Sequence, residues 1–357
     1  MGRGIMEDKI QYELGYFLTS LNEDLPSVTQ NVIPKIEITV ASIINQLLFG
    51  FAYHDEASIK EFVYIKDIIT THMQCATKPG TIFSFGHPIL RRLPLVGKYY
   101  NELTDQYNII TGYVRDQVHK HLKNFDANSE PADYVDSYIA ESKKKPGSYD
   151  ETQLVNTCYD IFVAGQETTA NTIIFSVLYA IHNPKAQEAL HEELDRVIGS
   201  DRRIGLNDKA RLPYTQAFIN ETQRLVNLLP LNLLHRTLKD TVVNGYQIPA
   251  NTVIAPQIST ALYDEEVFPK PKEFRPERFI NADGSVKKID DLVPFGVGKR
   301  QCLGESLARM ELFIIIANMY NLYKFGPEKE GQLPSLEKIN GVTIQPLPFS
   351  CKVTARY

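Results

Sequence analysis

The chain has 357 residues, of which 43% are hydrophobic and 23% charged, as in ordinary globular proteins. Its formal net charge of -5 excludes nucleic acid as the main partner, because phosphate binding needs a basic face. Four cysteines lie far apart without CxxC spacing, which argues against a disulfide framework and favours a reducing compartment. The apolar stretches at 38–53 and 310–325 are too short and too polar to span a membrane, and the first residues lack a signal-peptide pattern.

The first half of the chain is predicted to be helical. Apolar residues recur at helical spacing over residues 6–21, 32–51 and 100–122. Glycine and proline punctuate residues 77–98, which indicates a loop or short helices. The sequence KKKPGSYDE at 143–151 predicts a turn whose lysines face water.

The second half adds the elements of a minor sheet. Helices are predicted over residues 151–182, 184–197, 212–230 and 303–322. β-Branched residues surround an Asn-Gly turn at 241–256 and predict a hairpin, whereas 264–279 is a charged, proline-rich loop. Strand-like pieces at 341–347 and 350–357 close the chain. We therefore expect a mainly α fold with minor β, and one domain over 1–357 because no linker interrupts it.

A cysteine loop at residues 294–309, PFGVGKRQCLGESLAR, carries the sharpest chemical signal. It fits the pattern F-x-x-G-x-R-x-C-x-G at Phe295, Gly298, Arg300, Cys302 and Gly304. Cys302 stands just before a predicted helix, so unpaired N–H groups and the positive end of the helix dipole point at its sulfur. That placement favours the thiolate, which is the form that binds metal.

The other residues of the loop suit the same chemistry. Gly304 lets backbone donors approach the sulfur, and Gly298 permits a positive φ. Phe295 can shield the sulfur, and Arg300 can pair with a carboxylate such as a haem propionate. A phosphate loop does not fit, because Val293 stands where its first glycine belongs. A buried structural cysteine in a glycine-rich turn remains the alternative.

A second motif, AGQETT at residues 164–169, lies midway along the long predicted helix. Glycine costs about 1 kcal/mol against alanine inside a helix, so Gly165 suggests a close approach by another element. Adjacent threonines bend a helix by bonding back to carbonyls. The hydroxyl of Thr168 and the carboxylate of Glu167 could bind dioxygen and relay protons to it. The alternative is an ordinary helix with no such role.

A third motif, ETQR, places Glu221 and Arg224 three residues apart on one helix face, where the charges can pair. Arg278, in FRPERF, could join them in a buried network. The alternative is an exposed ion pair, which contributes little to stability.

The three motifs, in this order and with this spacing, resemble those of the cytochrome P-450 family. The stretch LPYTQAFINETQRLVNLLPLNLLHR is most similar to animal microsomal members that oxidise drugs, fatty acids and steroids. The resemblance implies the cytochrome P-450 fold and a haem cofactor. It also implies that dioxygen and a small apolar substrate bind, and that an NADPH-dependent reductase supplies electrons.

Residue roles follow from the resemblance alone. It implies that Cys302 is the axial ligand of the haem iron, and that Thr168 with Glu167 directs protons to dioxygen. Arg300 and His235 match propionate partners, although His235 could equally be a satisfied core histidine. The family's structural triad matches Glu221, Arg224 and Arg278, and its substrate pocket matches segments near Leu231, Val342 and Leu347.

The chain also departs from the family pattern. The family's anchor helix, first strands and first helices have no counterpart, and the chain contains no tryptophan. We therefore expect an N-terminally truncated member on the cytoplasmic face of the endoplasmic reticulum, where membrane association is possible without a transmembrane segment. The alternative is an inactive family remnant that binds lipid or a protein partner.

Overall fold

Helices dominate the computed structural model, which describes residues 3–25, 29–145, 147 and 150–357. The α-helices are α1 (Arg3–Glu23), α2 (Ile33–Leu48), α3 (Glu56–Ala76), α4 (Pro79–Gly86), α5 (Pro94–Asn124), α6 (Tyr134–Lys144), α7 (Glu151–His182), α8 (Pro184–Val197), α9 (Pro213–Val226), α10 (Ile258–Leu262) and α11 (Glu305–Leu322). Short 3-10 helices lie at Pro88–Arg92, Leu206–Arg211, Pro276–Phe279 and Gly298–Arg300.

The strands are short and pair only in antiparallel twos within the described residues. They are β1 (His235–Arg236), β2 (Thr241–Val243), β3 (Tyr246–Ile248), β4 (Val253–Ile254), β5 (Tyr323–Pro327), β6 (Lys338–Ile339), β7 (Gln345–Pro346) and β8 (Cys351–Ala355). β1 pairs with β4, β2 with β3, β5 with β8 and β6 with β7. Asn244 (φ 49) and Gly245 (φ 84) form the predicted hairpin turn, whose two left-handed residues fit a type I′ geometry.

The core is built around α7, which is buried along most of its length. α2 packs along α7, and α11, α9 and α8 also contact it. The main hydrophobic cluster includes Ile173 and Leu178 of α7 together with Ile314 and Tyr320 of α11. This arrangement places the cysteine loop, which leads directly into α11, at one end of the most buried helix pair.

Most predicted elements are confirmed, with differences at some element ends and at elements that were not predicted. The predicted helix at 212–230 ends at Val226, because Asn227 adopts a left-handed conformation (φ 48) that closes it. The helix predicted from 303 begins at Glu305. No prediction covered α3, α6 and α10, or the strands β1, β5 and β6. For α3 the sequence carried a signal, because Asp55 and Ser58 form a capping box that opens it.

Among the described residues, no helix has both the length and the apolar character needed to cross a bilayer.

Candidate functional site

The cysteine loop holds Cys302 at the surface, immediately before α11. The backbone N–H of Cys302 donates to the Phe295 carbonyl at 2.9 Å, which closes the loop on itself. Gly298 has a φ of +79, as expected from its place in the motif, and Gly296 has a φ of +72. The loop is therefore a tight backbone turn that presents a sulfur, and the alternative of a buried structural cysteine is wrong.

Two opposing effects act on the sulfur. Desolvation by the surrounding loop raises the pKa of the Cys302 thiol, and the nearby Glu305 carboxylate raises it further. The backbone N–H groups of Gly304 and Glu305 donate to the sulfur and lower the pKa. The backbone donors act in the direction expected from the helix N-terminus, while the net pKa of the thiol is raised. The donors are present as expected, but they do not outweigh the lost hydration.

The first turn of α11 braces the loop. Arg309 pairs with Glu305 at 2.7 Å between Nε and Oε1. The same guanidinium lies 4.8 Å from the centroid of the Phe295 ring, so the ring is held against α11. Arg300 is exposed, and no hydrogen bond or ion pair is recorded for its side chain in the described chain. Its guanidinium is therefore available to an anionic ligand.

Large apolar side chains are exposed in the loop and in the segment that precedes β1, and we call them together the leucine face. Asn232, in the segment before β1, lies close to the cysteine loop. Its Nδ2 atom is 3.5 Å from the position that a Cβ atom on Gly296 would occupy. The leucine face consists of Leu231 (56% exposed), Leu233 (60%), Leu234 (67%), Val297 (72%) and Leu303 (88%). His235 follows directly and is exposed in β1, so the core-histidine alternative is wrong. Side chains of this kind, with a free arginine beside them, suit contact with a large apolar group that carries carboxylates.

The AGQETT motif makes a close helix crossing. A Cβ on Gly165 would lie 2.6 Å from Cδ1 of Ile44, so the predicted close neighbour is α2. Thr168 Oγ1 donates to the Ala164 carbonyl at 2.8 Å, and Thr172 Oγ1 donates to the Thr168 carbonyl at 2.9 Å. This back-bonding is the pattern that bends a helix.

Glu167 is buried and joins three distant segments. Its carboxylate accepts hydrogen bonds from Thr70 of α3 at 2.7 Å and Thr343 at 3.0 Å. It also accepts one from Gln345 Nε2 of β7 at 3.1 Å. Glu167 therefore links α7 to α3 and to the C-terminal segment. The sequence did not reveal these partners, because they lie 97 to 178 residues away.

The third motif is a buried ion-pair network. Arg224 binds Glu221 through two hydrogen bonds, Nε to Oε2 at 2.7 Å and Nη2 to Oε1 at 2.9 Å. Both side chains are 0% exposed, so the alternative of a surface pair is wrong. Arg278 Nε reaches the same Glu221 at 3.0 Å, and the backbone N–H of Arg275 donates to it at 2.8 Å.

The remaining donors of the two arginines hold the loop after α10. Arg224 Nη1 donates to the Leu262 carbonyl at 2.9 Å, and Arg278 Nη1 donates to the Pro269 carbonyl at 3.1 Å. The ring of Phe268 lies 5.2 Å below the Arg224 guanidinium. The network thus ties α9 to residues 262–278, and every charge has a partner, as buried ions require.

The structure therefore brings Glu221, Arg224 and Arg278 together and groups Phe295, Arg300 and Cys302 in one loop. In the described chain, no hydrogen bond or ion pair is recorded between that loop and Thr168 or Glu167. The two regions are connected by the packing of α11 against α7.

The sequence of the chain is similar to that of a known protein family. The sequence model of the family described as Cytochrome P450 matches residues 2–353. The chain is 32% identical to cytochrome P450 2U1 of Rattus norvegicus over 361 residues, covering 100% of this chain and 67% of that protein. For cytochrome P450 2U1 of Homo sapiens the identity is 32%, covering 100% of this chain and 65% of that protein. Cytochrome P450 2H1 of Gallus gallus is 33% identical, over 92% of this chain and 66% of that protein.

The chain thus spans about two thirds of the length of the curated relatives it matches. The mainly α architecture with small antiparallel strands agrees with the predicted fold class.

Proposed function

The chain belongs to the cytochrome P450 family of haem-dependent monooxygenases, and on that premise we propose that it inserts one oxygen atom from dioxygen into a small apolar substrate. Haem is the cofactor that this family membership implies. The observation that carries the proposal is the cysteine loop, which presents an exposed sulfur supplied with backbone donors.

The residues of the loop fit a haem. Cys302 would supply the sulfur that holds the iron, and the N–H groups of Gly304 and Glu305 would stabilise its negative charge. Arg300 and His235, both exposed, would pair with the propionates. The leucine face supplies apolar contact, and Phe295, Gly298 and Gly304 keep the turn tight. When bound there, haem supplies electron transfer and oxygen activation, which a thiolate ligand favours.

Proton delivery is assigned to the AGQETT motif. The hydroxyl of Thr168 would accept a proton from solvent and pass it toward dioxygen, since a hydroxyl both donates and accepts. Glu167 would hold α7 in place through Thr70, Thr343 and Gln345 and keep a carboxylate beside that route. The triad of Glu221, Arg224 and Arg278 would stiffen the chain that follows α9.

The substrate class, the reductase and the location belong to the proposal too. We assign a xenobiotic, fatty acid or steroid as substrate, an NADPH-dependent reductase as electron donor, and the cytoplasmic face of the endoplasmic reticulum. The segment around α4 supports membrane contact. It exposes Ile82 (60%), Phe83 (57%), Phe85 (52%) and Leu95 (78%) on either side of Arg91 and Arg92, as in helices that lie on anionic lipid.

The reduced, carbon monoxide-treated absorption spectrum tests the proposal. The purified chain loaded with haem is expected to give the Soret band of a thiolate complex, and Cys302→Ser is expected to lose both that band and the oxidised product. Cys75→Ser is the matched control, because that sulfur already lies 3.7 Å from Thr81 Oγ1 and is far from the loop in sequence. Absence of the band in the wild type would overturn the proposed enzymatic function and favour the alternative, a protein that binds lipid or a protein partner. A band that survives in Cys302→Ser would show that Cys302 is not the iron ligand.

A further inference from the structure

A cavity of about 450 Å³ opens between α5 and the beginning of α7, and we call it the α5–α7 cleft. None of its lining residues belongs to the cysteine loop, the AGQETT motif or the Glu221 network. Its volume lies within the range of small-molecule sites in proteins, which is about 300–1,000 Å³. The cleft therefore has room for a ligand that the proposed function does not account for.

A buried hydroxyl without a partner lies in the cleft. Thr111 of α5 (5% exposed) and Val155 of α7 (4% exposed) are its most buried lining residues. Thr111 Oγ1 has no hydrogen-bond partner in the described chain. A helical threonine can bond back to a carbonyl one turn earlier, as Thr104 does on the same helix at 2.8 Å from the Tyr100 oxygen. Because an unpaired buried hydroxyl costs about 1–3 kcal/mol, a ligand that bonds to Thr111 would gain stability there.

An arginine at the edge of the cleft is also without a partner. Arg115 follows Thr111 by one turn on α5, so the two side chains share a helix face. It is exposed, and no hydrogen bond or ion pair is recorded for its side chain in the described chain. The carboxylate that lines the same cleft, Glu151, is bonded instead to His119 Nε2 at 2.8 Å. Arg115 is therefore available to a ligand carboxylate, which a guanidinium binds through two parallel N–H bonds.

The other polar groups of the cleft suit hydroxyl groups. Asn108 of α5 and Thr152 and Asn156 of α7 are exposed, and no side-chain hydrogen bond is recorded for them in the part of the chain that the structure describes. An amide both donates and accepts hydrogen bonds, as a ligand hydroxyl does. His119 occupies only Oε1 of Glu151, so Oε2 can accept from a further hydroxyl.

An aromatic ring adds an apolar contact to the cleft. Tyr107 lines it and is 38% exposed. The ring packs at a steep angle against Tyr159 of α7, with the two centroids 5.1 Å apart, which holds it in place. A fixed aromatic ring beside hydrogen-bonding groups suits a ligand ring that carries hydroxyls at its edge and C–H groups on its face.

We propose that the α5–α7 cleft binds a small hydroxylated carboxylic acid of the uronic-acid type. Arg115 binds the carboxylate, Thr111 and the amides of Asn108 and Asn156 bind the hydroxyls, and Tyr107 packs against the ring. The ligand contacts both helices at once and therefore opposes their separation. This site depends neither on haem nor on the proposed monooxygenase activity.

Calorimetric titration of the full chain with three probes tests the proposal. Glucuronate carries the carboxylate and the hydroxyls, glucose carries only hydroxyls, and cyclohexanecarboxylate carries only the carboxylate. Glucuronate is expected to bind at least about tenfold more tightly than either of the other two probes. If glucuronate does not bind saturably, or if either partial probe binds as tightly, the proposal is wrong.

Substitutions in the cleft test the individual contacts. Arg115→Met is expected to remove the advantage of glucuronate over glucose, because only the carboxylate contact is lost. Thr111→Val is expected to weaken both sugars several-fold and to leave cyclohexanecarboxylate unchanged. Arg196→Met is the matched control, since Arg196 is an exposed arginine of α8 without a recorded side-chain partner in the described chain. Wild-type affinity for glucuronate in either cleft variant would overturn the proposal.

Two further measurements locate the ligand and check the fold. Glucuronate is expected to slow amide exchange several-fold over residues 104–115 and 151–159 in the wild type but not in Arg115→Met. Slower exchange confined to other segments would show that the cleft is not the site. Without ligand, Thr111→Val should keep or raise the thermal midpoint, because it removes an unpaired buried hydroxyl.

Discussion

At the residue scale, the back-bonded hydroxyls of α7 allow the role of Thr168 to be separated from its effect on helix shape. Thr168→Ala in the haem-loaded chain is expected to uncouple electron use from product formation and to raise peroxide several-fold. Removing one neutral hydrogen bond costs only about 1 kcal/mol, so the fold should persist.

Thr172→Ala is the matched control for that prediction, because its hydroxyl makes the same kind of bond to a carbonyl one turn later. Peroxide and product are measured per NADPH consumed. Equal coupling in wild type and Thr168→Ala, or equal uncoupling in both variants, would contradict a special role for Thr168.

The buried network around Glu221 gives a second prediction at this scale. Glu221→Ala would leave the fully buried guanidinium of Arg224 without its counter-charge, and removal of one partner of a buried pair typically costs about 3–5 kcal/mol. Urea unfolding measures this loss.

Glu56→Ala is the control, because Glu56 pairs with Lys60 on α3 with both side chains mostly exposed. It should change the free energy of unfolding by less than about 0.5 kcal/mol. Similar losses in the two variants would mean that the Glu221 network does not contribute as its burial indicates.

At the scale of elements, helix boundaries could be predicted wherever a local signal was unambiguous. Asp150 caps α7 and Asn183 precedes Pro184, so both ends of that helix were predicted correctly. The end of α9 was predicted too late because Pro230 was taken as the stop, whereas Asn227 ends the helix first. The capping box that begins α3 is visible in the sequence, but it was not used to predict that helix.

The crossing of α2 over α7 supplies a prediction about packing. Gly165→Ala gains about 1 kcal/mol of helix propensity but forces its Cβ against Ile44, and overpacking of this kind costs about 1–3 kcal/mol. We therefore expect a net loss of stability, partly restored by adding Ile44→Val.

Gly112→Ala is the matched control, since Gly112 lies within α5 and a Cβ there would meet nothing within 4 Å. It should raise the thermal midpoint. If both substitutions stabilise the protein, the approach of α2 to α7 is looser than the structure indicates.

At the scale of the whole molecule, contacts between distant segments could not be predicted. The cysteine loop and the Glu221 pair were readable because their members lie within a few residues of one another. The partners of Glu167 and the α5–α7 cleft depend on how α3, α5, α7 and β7 pack. Periodicity marks a buried helix face, but it does not say which helix covers it.

A histidine couples global stability to pH. The Nε2–H of His121, near the end of α5, donates to Asp133 Oδ2 at 2.9 Å, and Asp133 caps α6. The hydrogen bond with Asp133 raises the pKa of His121, while burial opposes it. Since the folded pKa is raised, the contribution is fully present below pH 6.5 and is lost as pH rises through the folded value.

The expected outcome is that wild type loses stability relative to His121→Gln as pH increases above 6.5. Asp133→Asn should remove the same pH dependence, because it deletes the carboxylate that favours the charged ring. Thermal midpoints across pH measure the difference, and a constant gap between wild type and His121→Gln would contradict the linkage.

The antiparallel bridge between Gln30 and Cys351, with N–H to carbonyl distances of 2.8 and 3.0 Å, joins the segment between α1 and α2 to β8. During synthesis on the ribosome, the early helices emerge long before the strand that completes their edge. Thr343 and Gln345 reach Glu167 just as late, so the centre of α7 also waits for the segment around β7 to be synthesised. A nascent chain stalled before position 343 would therefore expose an unfinished surface to chaperones and proteases.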